Sequence, residues 1–236
     1  MSASEDISTS ITTILDATWN IRDGQVVPET AGVVLANGAV KLDATFLYAD
    51  LASSTKLARQ FDSRVAAKVV RAFLSSVTRL INDAGGTVRS FDGDRVMGVF
   101  VGDSKNTSAA RCALKINYVV RKILRPKAEA KYPSLKEKGF VITHCSGIHT
   151  SEVLVVRGGV RGSNDLVFIG LAPNFAAKLS ELRTAANTYI TPQVYNTMND
   201  DAKLGGTEKQ NMWTAVKVRF GDEVWDCFKS TWQWKP

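Results

Sequence analysis

The chain has 236 residues, of which 44% are hydrophobic, and this length suits one well-packed domain with an elaboration or at most two small ones. Its apolar runs fall far short of the roughly 20 residues that cross a bilayer, and its N-terminus lacks the features of a secretory signal, so we expect a cytoplasmic protein without a membrane partner. Three separated cysteines and two histidines exclude a disulfide framework and a zinc finger, while a charge of +7 spread along the chain lacks the pattern of a nucleic-acid-binding protein.

The first half of the chain predicts an N-terminal arm followed by the order strand, helix, hairpin, helix. Residues 1–40 are assigned to the arm because they lack sustained periodicity beyond a possible short helix near residues 7–19. After the arm, an apolar run with β-branched and aromatic residues predicts a strand, and apolar residues at helical spacing predict a helix. The predicted elements are a strand at 44–49, a helix from about 57 to 80 that Gly85 and Gly86 end, strands at 87–91 and 95–101, and a helix from about 107 to 131 that Pro126 kinks or breaks.

The second half predicts short strands that alternate with short helices. Strands are expected at 140–149 and 153–157, a glycine-rich connection at 158–162, a strand near 166–169, a helix opened near Pro173, a strand at 188–190, a helix after Pro192 and a hairpin between 216 and 228. Together the elements predict an α+β fold, with a ferredoxin-like βαββαβ core and extra C-terminal strands and a helix.

An acidic residue ends the first predicted strand. Asp50 precedes the segment from Leu51 to Thr55, which leads into the helix. A carboxylate in this place can bind a hard cation, while the backbone N–H groups of Ser53, Ser54 and Thr55 face phosphate oxygens. The alternative is that Asp50 or Ser53 only caps the helix, and for this motif alone the cap is the better interpretation.

A second acidic residue lies in the predicted hairpin. The turn Asp92-Gly93-Asp94 joins two strands of the core, and it can bring Asp94 next to Asp50 at one end of the sheet. Two carboxylates so placed suit two Mg²⁺ ions about 3.5–4 Å apart. Asp-Gly is also the commonest hairpin signal, so the turn alone is weak evidence for a metal site, and the interpretation depends on Asp50 lying beside it.

The third motif is the glycine-led entry into the helix near Pro173. Asn174 and Lys178 are four residues apart, which places an amide and an ammonium on one helix face. Taken by themselves, two such residues more often belong to a solvated face.

The three segments, in this order and on these elements, resemble the catalytic domain of the class III nucleotidyl cyclases over residues 46–198. The resemblance implies a catalytic domain at 41–236, in which Asp50, Leu51 and Asp94 form the site of two divalent metal ions, Mg²⁺ or Mn²⁺. It also implies that Asn174 and Lys178 act on a nucleoside triphosphate from the partner subunit, in a head-to-tail homodimer with two shared sites. That family usually has arginine where this chain has Lys178, and lysine lacks the bidentate fork.

The base that is cyclised depends on two further positions of the resemblance. In purine cyclases, the residues at the positions of Ser90 and Val167 read the base, and neither residue fits the adenylate or the guanylate pattern. The segment from Val88 to Phe100 resembles the bacterial antiphage pyrimidine cyclases, whose cyclic UMP or cyclic CMP activates a separate effector. We therefore expect UTP ahead of CTP, with Tyr48 either shaping a smaller base pocket or acting as a core aromatic.

Two alternatives remain from the sequence. One is an ordinary purine cyclase with unusual base-reading residues. The other is a cyclase-fold module that binds a nucleotide without turning it over. Lys178, in place of the usual arginine, favours this alternative because it would indicate loss of catalytic activity. The intact Asp50, Asp94 and Asn174 count against it.

Overall fold

The structure is a computed structural model that describes residues 2–236, and a nine-stranded sheet lies at its centre. The strand order is β10-β11-β7-β5-β2-β4-β3, with β1 beside β2 and β6 beside β5. The strands of the sheet are β1 (Asn20–Gly24), β2 (Gly38–Leu51), β3 (Thr87–Asp92), β4 (Arg95–Phe100), β5 (His144–Val160), β6 (Ser163–Ile169), β7 (Thr188–Ile190), β10 (Thr214–Phe220) and β11 (Glu223–Ser230), and a separate small pair consists of β8 (Leu204–Gly205) and β9 (Gln210–Asn211).

The helices flank the sheet. They are α1 (Ala3–Asp16), α2 (Ser54–Gln60), α3 (Ser63–Asp83), α4 (Lys105–Tyr118), α5 (Arg125–Lys131), α6 (Ser134–Glu137), α7 (Leu171–Ser180), α8 (Pro192–Thr197) and α9 (Asp200–Lys203). A π-helix (Val119–Leu124) connects α4 to α5, and a 3₁₀ turn (Thr30–Gly32) lies before β2. No helix within residues 2–236 is long and apolar enough to cross a bilayer.

The predicted βαββαβ core is confirmed. It consists of β2, the helical segment α2–α3, the β3–β4 hairpin, α4 and β5. Within the sheet, its strands lie in the order β5-β2-β4-β3, so β2 and β4 are neighbours at the centre. Since β2 and β4 are antiparallel, the end of β2 and the start of β4 meet at one end of the sheet.

The two faces of the sheet pack against different helices, because side chains alternate along a strand. Leu47, Ala49 and Leu51 of β2 belong to the apolar cluster that includes α3 and α4. Phe46 belongs to the second cluster, with Ala176 of α7. Asp50 shares the face of Phe46 and therefore lies on the α7 side of the sheet.

Several boundaries differ from the prediction, including the glycine-rich connection expected at 158–162, of which residues 158–160 belong to β5 and pair with β6. The strand expected at 44–49 is the middle of the longer β2, and the strands expected at 140–149 and 153–157 form one strand, β5, whose polar residues at 150–152 pair with β2. The helix expected at 57–80 is two helices, because Asp62 caps α3 by accepting from the N–H of Arg64. Pro126 does not break the second long helix, since it lies in the first turn of α5, directly after the wider π-helix.

The N-terminal arm contains more regular structure than its sequence indicates. The short helix expected near residues 7–19 is present as α1, slightly earlier in the chain. Residues Asn20–Gly24 form an unpredicted strand, β1, which pairs in parallel with β2 from Gly38 to Leu42. The arm is thereby attached to the end of β2 that lies opposite Asp50.

Candidate active site

Asp50 and Asp94 meet at one end of the sheet. Asp50 lies opposite Arg95 in the β2–β4 ladder, and the N–H of Leu51 donates to the carbonyl oxygen of Asp94 at 3.4 Å. Gly93 makes the hairpin turn with a φ of +59°, a conformation that glycine adopts without strain. The local turn chemistry thus places both carboxylates beside each other, as the sequence predicted.

Burial governs the electrostatics of Asp50. Its side chain is 12% exposed, and this burial raises the pKa of its carboxyl above the ordinary value. The guanidinium of Arg183, which donates to the Asp50 carboxylate, opposes the rise, while the negative charge of Asp94 adds to it. A cation close to the Asp50 carboxylate would therefore stabilise its ionised form.

The pair fits a divalent metal ion. The Oδ2 atom of Asp94 is buried without a hydrogen-bond partner, which is costly for a carboxylate oxygen unless a cation is bound. Asp50 already attracts a cationic group, the guanidinium of Arg183. Carboxylate and carbonyl oxygens are the ligands of hard cations, so Asp50 and Asp94 suit such an ion, and the backbone carbonyl of Leu51 stays the predicted third ligand.

The segment after Asp50 does not cap α2 in the way that the alternative interpretation requires. The Asp50 carboxylate is bound to Arg183, and Ser53 makes no capping hydrogen bond through its side chain. Ser53 instead has a left-handed backbone with a φ of +63°, which is uncommon outside glycine. Ser54 and Thr55 follow at the start of α2 and line a groove together with Asp94. Their contact with substrate stays a prediction.

Tyr48 and Ser90 lie in one row across three strands. Both face Met97 of β4, Tyr48 from β2 and Ser90 from β3. The Tyr48 hydroxyl donates to the Met97 sulfur at 2.9 Å, and burial raises the pKa of this phenol. Arg95 lies over the Tyr48 ring, 5.4 Å from its centroid, so the row adjoins the carboxylates.

Val167 lies on β6, where its side chain is half exposed. Near it, Asp165 of β6 accepts from the guanidinium of Arg89 at 3.4 Å, and this contact connects β6 to β3. Arg89 occupies a bulge directly before Ser90, and its Nε atom is buried without a partner. The positions of Ser90 and Val167 are thus connected through a charged pair that the sequence interpretation did not include.

Asn174 and Lys178 project from the exposed side of α7. The opposite side of α7 packs closely on β5, since a Cβ atom at Gly147 would lie 2.2 Å from the carbonyl oxygen of Ala176. Lys178 lies 5.9 Å from the centroid of the Phe220 ring. Within residues 2–236, neither Asn174 nor Lys178 makes a hydrogen bond or an ion pair with the two carboxylates.

Three arginines of the site were missed by sequence reasoning. Arg183 follows α7 and donates to Asp50, Arg95 bridges Asp92 at 2.7 Å and Glu181 at 2.8 Å, and Arg89 contacts Asp165. Arg95 had a local signal, because it directly follows Asp94. Arg183 and Arg89 had none, since their partners are distant in the chain.

Comparisons with known proteins find similarity to uridylate cyclases. No protein-family model matches the chain. The uridylate cyclase of Rhodovulum sp. (strain MB263) is 47% identical over 100% of this chain and 99% of its own length. The uridylate cyclases of Burkholderia cepacia, at 39% identity over 99% of both chains, and of Xanthomonas perforans, at 37% identity over 100% of this chain and 99% of its own, are also similar.

Solved structures share the fold. The guanylyl cyclase Cya2 superimposes with a TM-score of 0.67 at 16% identity, covering 83% of this chain and 95% of that chain. A bacterial light-regulated adenylyl cyclase gives a TM-score of 0.67 at 21% identity, covering 85% of this chain and 55% of that chain. The sheet and its flanking helices are therefore arranged as in purine cyclases, although little sequence is shared.

Proposed function

The chain belongs to the uridylate cyclase family, and we propose that it converts UTP into 3′,5′-cyclic UMP and pyrophosphate at the site around Asp50 and Asp94. The observation that carries the proposal is the pair of neighbouring carboxylates, in which Asp50 is buried and the Oδ2 atom of Asp94 is buried without a hydrogen-bond partner. Such a pair suits a reaction in which a cation must be held beside a polyphosphate.

The proposed reaction is an intramolecular displacement. The ribose 3′-oxygen forms a bond to the α-phosphorus, the bond from that phosphorus to the bridging oxygen breaks, and pyrophosphate leaves with the electron pair. The proton of the 3′-hydroxyl passes to solvent. When bound by Asp50, Asp94 and the Leu51 carbonyl, two divalent ions would favour loss of this proton and neutralise charge on the phosphates.

The cationic side chains of the site suit the triphosphate. The Arg183 guanidinium lies at Asp50, and a metal ion held by Asp50 would leave it free to donate to a phosphate oxygen. Lys178 would meet the charge that develops at the α-phosphate, and Asn174 would orient the ribose. Both residues are exposed and available to another subunit.

We propose that these two residues act across a head-to-tail homodimer. Asn174 and Lys178 lack any polar contact with the carboxylates of their own chain, within the residues that the structure describes. A two-fold arrangement places the same surface of each copy against the other, so each dimer has two shared sites.

Recognition of uracil is proposed to involve Arg89 and Asp165 as well as Ser90 and Tyr48. The uracil edge presents an acceptor, a donor and an acceptor, at O2, N3–H and O4. A guanidinium supplies donors and a carboxylate supplies an acceptor, and these two groups are already paired between β3 and β6. Because cytosine has an acceptor at N3, a carboxylate there disfavours CTP.

The product is proposed to act as a diffusible signal in antiphage defence. Cyclic UMP would activate a separately encoded effector, as the resemblance to the antiphage pyrimidine cyclases implies.

The proposed activity is tested with purified protein, UTP and Mn²⁺ or Mg²⁺. Mass spectrometry should find cyclic UMP, with an equal amount of pyrophosphate, and the product should be absent for Asp94→Asn. Far-UV circular dichroism of the variant checks that its fold is retained. Tight binding of UTP without cyclic product would instead support a nucleotide-binding module.

A further inference from the structure

Helix α1 has an apolar stripe without a partner in its own chain. Ile7, Ile11, Ile14 and Leu15 repeat at helical spacing and are between 53% and 78% exposed. None of the helix residues is buried. The capping box of Ser2 and Glu5 nevertheless defines a regular N-terminus.

Such a helix requires a packing partner. Its 14 residues include serine, threonine and isoleucine at most positions, and these residues have only moderate helix propensity. Isolated helices of this length are marginal in water even when they are rich in alanine. The apolar stripe of α1 is therefore expected to lie against another surface.

A groove of matching size runs along α3. Its volume is about 980 Å³, and its floor includes Ala66, Val70 and Leu74. Phe91, whose side chain is 56% exposed, lies at its edge, and Asp94 closes the end nearest the active site. From Ala66 to Arg79 the groove follows α3 for about 20 Å, close to the roughly 21 Å length of α1.

The charges of α1 and of the groove are complementary. The helix contains three acidic residues, Glu5, Asp6 and Asp16, and no basic residue. The groove includes Arg71 and Arg79 among its lining residues and no acidic residue other than Asp94 at its end. Two α1 helices packed against each other would instead bring six acidic residues together without a basic one.

The groove of the same chain is too distant for α1 to lie along it. Asn20, four residues after the helix, pairs with Gly38 at the far end of β2. The end of the groove that is nearer to α1 lies beside Ile81. Ile81 packs on Gly98 of β4, and Gly98 pairs with Leu47 of β2. Leu47 lies nine residues after Gly38, about 30 Å along β2, whereas the connection from Asp16 to Asn20 spans at most about 14 Å, so the C-terminal end of α1 stops short of the groove.

We infer that α1 of one copy docks into the α3 groove of a second copy. The inference rests on the proposed head-to-tail dimer, in which Asn174 and Lys178 of one copy lie at the active-site end of the other. Docking would bury the apolar stripe of α1 and fill a groove that Asp94 shares with the active site. The arm would thereby connect dimerisation to the shape of the site.

Photocrosslinking of the full-length protein tests this placement. A benzophenone amino acid is introduced at Ile11, on the apolar stripe, and at Thr12, on the polar side, as the matched control. Mixing ¹⁵N-labelled and unlabelled protein identifies crosslinks between copies. We expect the Ile11 probe to join peptides from residues 63–83 of the other copy, with a yield about tenfold above that of the Thr12 probe.

Two exposed alanines of α3 give a second readout. Ala67 lines the groove, and Ala72 lies on another side of the helix. Ala67→Glu should weaken the dimer about tenfold or more in sedimentation, because it places a charge against the stripe, whereas Ala72→Glu should not.

Crosslinks from α1 to α1, to its own chain or to no segment would overturn the inference, as would equal effects of the two alanine variants. A dimer that makes cyclic UMP but crosslinks elsewhere contradicts only the docking, whereas a monomer contradicts the proposed dimer as well.

Discussion

The guanidinium of Arg183 donates to the carboxylate of Asp50 across 133 residues of sequence. The Arg183 side chain is 42% exposed, whereas that of Asp50 is 12% exposed. Because the Arg183 side chain is half exposed, breaking its ion pair with Asp50 costs less free energy than breaking an ion pair with a fully buried cation. Arg183 is therefore suited to keep Asp50 ionised, and under the proposed function it would be available to a phosphate oxygen if Asp50 held a metal ion.

Removal of this guanidinium should strengthen metal binding. In Arg183→Gln, a metal ion no longer competes with arginine for Asp50, so Mn²⁺ should bind about threefold to tenfold more tightly. Electron paramagnetic resonance of free Mn²⁺ measures this without turnover. Arg219→Gln, on the exposed side of β10, is the control. Equal or weaker Mn²⁺ binding by Arg183→Gln would contradict the competition.

The proposed shared site predicts complementation between inactive variants. Asp94→Ala lacks a proposed metal ligand, and Lys178→Ala lacks the proposed transition-state cation and should lose about 10²–10³ in kcat. In an equal mixture, half of the dimers are mixed and each has one intact site, so about a quarter of the activity should return. No recovery after subunit exchange, with mixed dimers verified by native mass spectrometry, would show that each site is formed by one chain.

Asp165 should set the preference for uracil. Asp165→Asn retains the Oδ1 atom, which accepts from Thr30, Arg89 and the N–H of Leu166, but it replaces the other oxygen with a donor. The ratio of kcat/KM for UTP to that for CTP should fall about tenfold or more, since the amide pairs with N3 of cytosine. Asp222→Asn, in the exposed β10–β11 turn, is the control. An unchanged ratio would remove Asp165 from base recognition.

Two buried histidines predict acid sensitivity. Burial lowers the pKa of His144 to about 3, aided by Arg121 and Arg125, and burial lowers that of His149 to about 4. The unfolded chain therefore binds more protons below pH 6.5, so stability is lost as the pH falls through 6.5 and the loss levels off only near these folded values.

For His144 alone, the loss of unfolding free energy between pH 7 and pH 5 is about 2 kcal/mol. Urea unfolding at the two pH values measures it, and His144→Leu should show a correspondingly smaller difference between them. A difference as large as that of the unsubstituted protein would mean that His144 does not control the acid response.

Features with local signals were predictable from the sequence. Asp50 ends an apolar strand and Asp94 belongs to an Asp-Gly turn, so antiparallel pairing was enough to bring them together. The continuity of β5 was not predictable, because its polar residues at 150–152 are explained only by pairing with β2. Arg183, Arg89 and β1 depend on partners that are remote in sequence, and such contacts leave no periodic pattern.

Incubation with an equimolar mixture of ATP, GTP, CTP and UTP, followed by mass spectrometry of all four possible cyclic nucleotides, tests the central claim most directly. The unsubstituted protein is compared with Asp94→Asn under the same conditions. Predominant cyclic UMP that disappears in the variant is the predicted result. Predominant cyclic AMP or cyclic GMP, or cyclic UMP that persists in Asp94→Asn, would contradict the proposed substrate or the proposed site, respectively.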